Sequence, residues 1–122
     1  MLNIQNIVAV GVGGMIGSVL RFVVTVLVGN QPFPFATLTI NIAGSFIIGL
    51  IFGASALGVP ANTMKLFLAT GICGGFTTFA AFSMESLQLL QQQKYILAAT
   101  YVSASIVLGL AAAFAGFAIS KG

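Results

Sequence analysis

The stretch Thr70-Gly-Ile-Cys-Gly-Gly-Phe-Thr-Thr-Phe-Ala-Ala-Phe-Ser-Met-Glu85 decides how the rest of the chain is read. It lies in the third of four apolar segments, yet carries Gly71, Gly74, Gly75, Thr77, Thr78, Ser83 and Glu85 where a lipid-facing helix would carry Leu and Val. Glycine and threonine from Gly74 to Thr78 weaken a helix. Interrupted backbone at membrane depth is tolerated only where protein or a water-filled cavity surrounds it. Freed carbonyls there can hold a cation, and freed N–H groups an anion. Phe79 and Phe82 follow at i, i+3, on nearly the same face. On these residues alone, a glycine-rich packing helix with an aromatic pair competes with a helix broken in mid-membrane.

The surrounding composition fixes the class. Of 122 residues, 59% are hydrophobic and only five are charged: four Lys or Arg and one acid. A run of about 20 apolar residues crosses a bilayer, and four such runs fit here, at roughly 4–28, 35–57, 63–93 and 95–119. The expectation is an all-α membrane protein with four transmembrane helices in a single domain, embedded in lipid. Residues 1–5 lack a basic leader, so the first run is expected to be retained as a span. Cys73 is the only cysteine and there is no histidine. Metal-ligand clusters, nucleophile triads and paired carboxylates are therefore absent, and no enzymatic activity is expected. The net charge of +3 is too sparse for a nucleic-acid surface.

Working outward, the first segment holds Gly13 and Gly17 in G-x-x-x-G spacing, which lets helix backbones approach closely in lipid. Arg21 lies deep enough to be costly unless it snorkels or faces a vestibule or partner. Gly29-Asn-Gln-Pro-Phe-Pro34 reads as the first loop. In the second segment Thr37, Asn41 and Ser45 recur at i, i+4, i+8 and form a polar stripe. An unpaired amide in hydrocarbon costs several kcal/mol, or roughly 1–3 on protein scales, so Asn41 either bonds a neighbouring helix or lines a wet path. Gly44, Gly49 and Gly53 offer a second close-packing surface, and Gly58-Val-Pro-Ala-Asn62 reads as the second loop. The third segment is too long for a simple span and leaves the membrane at Gln91-Gln-Gln-Lys94; an interruption accounts for the excess. In the fourth, Tyr101 and Ser105 begin a row that continues with Gly109 and Ala113.

Three motifs in this order, Gly13-Gly-Met-Ile-Gly-Ser-Val-Leu-Arg21, Thr37-Leu-Thr-Ile-Asn-Ile-Ala-Gly44 and Gly71 through Glu85, make the chain resemble the small fluoride channels called Fluc or CrcB over essentially its whole length. The resemblance implies an antiparallel, dual-topology dimer of four-helix subunits with two fluoride pores. It implies a central, structural sodium ion held by backbone carbonyls at positions matching Gly74 and Thr77. Phe79 and Phe82 match the family's paired phenylalanines, Asn41 its pore asparagine, Arg21 its first-helix arginine, and Tyr101 and Ser105 its fourth-helix polar track. Ala80 and Ala81 stand where the family usually has hydroxyls, and Gly109 and Ala113 where it has further polar residues.

These residue types suit fluoride. The ion is small, hard and strongly hydrated, so a pore must supply donors yet hold it weakly. Asn41 offers amide N–H groups, and Thr78 and Ser105 offer hydroxyls. Phe79 and Phe82 can present electropositive ring edges. Ser83 and Glu85 complete the expected pathway, with Glu85 either protonated or bonded to hydroxyls. The reading is passive fluoride efflux across the cell membrane that lowers the ion's toxicity, by a homodimer or by one subunit of a heterodimer. The competing class is a proton-coupled four-helix exporter. That type keeps its essential glutamate in the first helix, where this chain has Arg21 and no acid.

Overall fold

A computed structural model describes residues 2–56 and 62–122. Of the expected second loop only Asn62 falls within it; Leu57, the expected end of the second segment, lies outside the described residues. Helix α1 spans Ile4–Val28, α2 Phe35–Ala56 and α6 Tyr95–Lys121. Between them the third segment is composite: α3, Thr63–Lys65; a π-helical stretch, Leu66–Cys73; a short α4, Gly74–Phe76; and α5, Phe79–Gln91. Among the described residues, four stretches are long and apolar enough to cross a membrane: Ile4–Val28, Phe35–Ala54, Thr63–Gln91 and Tyr95–Lys121. The third ends two residues before the expected limit and the fourth runs two beyond it.

Local chemistry explains the boundaries. Asn3 caps α1 by accepting from Asn6 N–H at 2.8 Å, and Asn62 caps α3 by accepting from Lys65 N–H at 3.2 Å; such caps satisfy donors that the first helical turn leaves open. Gly29 ends α1 at φ 75°, a conformation glycine adopts freely. At the end of α5, Gln93 N–H donates to Leu90 O and Lys94 N–H to Leu89 O. This is the Schellman pattern, with Gln93 in the left-handed region at φ 60°.

The helices associate in two pairs. α2 lies along α6, and α1 lies along the π-helical stretch and α4. Beyond α4 the third segment changes partner, and α5 leans on α6. Lipid supplies no hydrophobic drive between helices, so close backbone approach carries much of the association. The expected G-x-x-x-G surface on α1 serves it. A methyl group at Gly13 would stand 2.5 Å from Phe67 O and 2.9 Å from Gly71 Cα, and one at Gly17 would collide with Ile72 O. On α2 the expected small-residue surface divides. Gly49 and Gly53 meet the α6 backbone at Ala113 and Phe117, whereas Gly44 abuts the Thr77 methyl group.

The π-helical winding was not legible in the residues. Within it Gly71 lies against Gly13, and just beyond it, in α4, Gly75 lies against Gly14. π-turns are rare and collect at functional sites. Large apolar side chains such as Leu27, Ile96 and Phe114 face outward, as a lipid-facing surface requires. The most deeply buried large side chains are Ile40 and Tyr101.

Candidate functional site: a polar cavity beside a helix interruption

α4 ends at Phe76 and α5 begins at Phe79. Between them Thr77 and Thr78 are extended, at φ −81°, ψ 155° and φ −151°, ψ 117°. The polar stripe of α2 meets this point. Asn41 Oδ1 accepts from Thr78 N–H at 2.9 Å, and Asn41 Nδ2 donates to Thr78 O at 3.3 Å. One amide thus satisfies both backbone groups of a residue that has left the helix. The Thr78 hydroxyl caps α5 by accepting from Ala81 N–H at 3.2 Å, and the Thr77 hydroxyl turns back to Cys73 O at 2.9 Å.

Beside the interruption lies a cavity of about 400 Å³ that includes Asn41, Thr77, Thr78, Phe79, Phe82 and Ser105 in its wall. Gly74 also reaches it. Seven of the eleven site residues expected from the sequence therefore converge on one space. The Ser105 hydroxyl is buried without a hydrogen-bond partner among the described residues. The two phenylalanine rings sit 5.6 Å apart, centroid to centroid, tilted by 41°.

The other four lie elsewhere. Tyr101 is completely buried and donates its hydroxyl to Glu85 Oε1 at 3.0 Å. Phe82 stacks at 5.3 Å and Phe33 edge-on at 5.6 Å against the Tyr101 ring. Glu85, bonded to a hydroxyl as one of its expected states required, opens on its far side into a second cavity of about 390 Å³ with Thr25, Gln88, Gln92 and Lys94. Arg21 faces neither cavity; its Nε donates to Gly75 O at 3.2 Å. Ser83 is exposed on α5 and lines neither space.

Sequence reasoning missed Ala69, Cys73 and Ile48 in the wall of the first cavity. Ala69 and Cys73 arrive there on the π-helical turn, which no residue pattern announces.

The comparison with known families is decided by extent. The model of the CrcB-like protein family, Camphor Resistance (CrcB), matches residues 8–117. This chain belongs to the CrcB family. Among similar CrcB relatives, the fluoride-specific ion channel FluC of Flavobacterium psychrophilum is 43% identical over 121 residues, covering 96% of this chain and 98% of the relative. The FluC of Agrobacterium fabrum is 44% identical over 120 residues, covering 95% and 96%. That of Azobacteroides pseudotrichonymphae is 39% identical over 122 residues, covering 97% and 98%. The relatives are named as channels, which agrees with the absence of an enzymatic constellation. Four spans and membership of this family make the chain a multi-pass integral protein of the cell membrane.

Proposed function

We propose that this chain is a subunit of a fluoride-specific channel that lets the anion leave the cytoplasm passively. The observation that carries the reading is the first cavity. There a spare Asn41 N–H, the unpartnered Ser105 hydroxyl and the rings of Phe79 and Phe82 surround one space. Among the described residues no cationic side chain lines it, so a small anion would meet modest neutral donors there rather than a trap. The Thr77 hydroxyl is already committed to Cys73 O, which leaves Asn41, Ser45, Thr78 and Ser105 as the donors. Arg21 acts on the backbone beside the interruption, and Tyr101 holds Glu85, which lines the second cavity.

The same reading includes an antiparallel dimer of two copies, with the interruption at mid-membrane on the axis between them, and a structural sodium ion. The residues fit such an ion: Gly74 and Thr77 present carbonyl oxygens at the end of a helical segment, where the helix dipole favours a cation. When bound, sodium would supply positive charge that joins the subunits and offsets anion repulsion. Expression in a bacterium stripped of its own fluoride exporters tests the function. Growth in fluoride should be restored by this chain and not by Asn41→Leu; equal growth with and without the chain would refute it.

A further inference from the structure

Helical register specifies which N–H each carbonyl at the interruption should accept, four residues further on. Gly74 O should take Thr78 N–H, and Thr77 O should take Ala81 N–H. Side chains intercept both donors. Thr78 N–H goes to Asn41 Oδ1 at 2.9 Å, and Ala81 N–H goes to Thr78 Oγ1 at 3.2 Å. Neighbouring carbonyls are treated differently. Cys73 O accepts the Thr77 N–H and hydroxyl, both at 2.9 Å. Gly75 O accepts Arg21 Nε at 3.2 Å, and Thr78 O accepts Asn41 Nδ2 at 3.3 Å.

We infer that Asn41 is a positioning residue for a cation site formed by the Gly74 and Thr77 carbonyls, in addition to facing the anion cavity. This rests on the sodium reading above. A hard cation needs oxygen ligands that no N–H already occupies. Asn41 frees the Gly74 oxygen by taking its donor and fixes Thr78, whose hydroxyl frees the Thr77 oxygen in turn. Arg21 anchors the intervening Gly75 carbonyl from α1. One amide thereby joins the cation site to the anion cavity.

The test is thermal unfolding of the purified full-length chain in detergent, titrated with sodium against N-methylglucamine at constant ionic strength. Wild type should be stabilised by sodium with a defined midpoint. Asn41→Leu should raise that midpoint at least tenfold, and so should Thr78→Val, which strips the acceptor from Ala81 N–H. Ser105→Ala removes a cavity hydroxyl without touching the clamp, so it should lower fluoride flux and leave the sodium midpoint unchanged. A wild-type midpoint in Asn41→Leu would overturn the inference. Should that variant not fold, a wild-type midpoint in Thr78→Val would do the same. Absence of any sodium effect on wild type would instead remove the sodium reading itself, and the inference with it.

Discussion

At the residue scale, the site depends on a few polar side chains that each serve two masters. Tyr101 is packed by Phe82 and Phe33 while its hydroxyl holds Glu85. Tyr101→Phe keeps the ring and removes the donor, leaving a half-buried carboxyl group short of its partner. Losing one side of such a bond costs about 1–3 kcal/mol, so the melting temperature should fall and fluoride flux should drop. A variant with wild-type melting temperature would show that Glu85 finds another donor. Asn41 was legible as a residue that must bond a neighbour or line a wet path. The structure shows the bonded neighbour, because its amide joins the stripe of α2 to the extended backbone of Thr78, and it places the same side chain in the wall of the first cavity. Arg21 was legible as a costly charge in need of a vestibule or partner and, by resemblance, as the family's first-helix arginine. Its bond to Gly75 O depends on how α1 and α4 lie together, which no local pattern encodes.

At the element scale, glycine placement separates contact from open space. Gly17→Ala would drive a methyl group into Ile72 O, and overpacking of this kind costs roughly 1–3 kcal/mol. Gly109→Ser should be tolerated, because an added Cβ meets only Ser45 Oγ at 3.8 Å. It also restores a hydroxyl along the α6 row, so flux should be equal to or faster than wild type. Thermal unfolding of the two variants side by side tests the contrast; equal destabilisation would contradict it. Gln93 offers a gain instead. An ordinary residue in the left-handed region costs roughly 1–2 kcal/mol, so Gln93→Gly at φ 60° should raise the melting temperature with flux unchanged. The four spans and the G-x-x-x-G contact followed from hydropathy and spacing, which are local. The π-helical turn did not. It runs where Gly71 packs against Gly13 of α1, a tertiary contact that leaves no periodic trace in the third segment.

At the scale of the whole molecule, charge is nearly balanced across the membrane. The Thr63 hydroxyl bonds Asn6 Oδ1, which places the start of the third segment at the same end as the N-terminus. Lys65 therefore shares that end, as does Lys121, whose backbone N–H lies 3.0 Å from a Cβ added at Gly53. Arg21 and Lys94 belong to the other half. Orientation follows Lys and Arg bias, and two against two gives none. Reporter fusions at the C-terminus should therefore score on both sides of the membrane, as an antiparallel dimer of identical chains requires. A single orientation for the chain expressed alone would contradict that assembly. The central claim is passive fluoride conduction. Its most direct test is fluoride efflux from proteoliposomes containing only this chain, with potassium and valinomycin to carry the counter-charge. Efflux should run down the fluoride gradient at the same rate with or without a pH gradient, with chloride retained; no efflux, or efflux only when a proton gradient is imposed, would contradict the account.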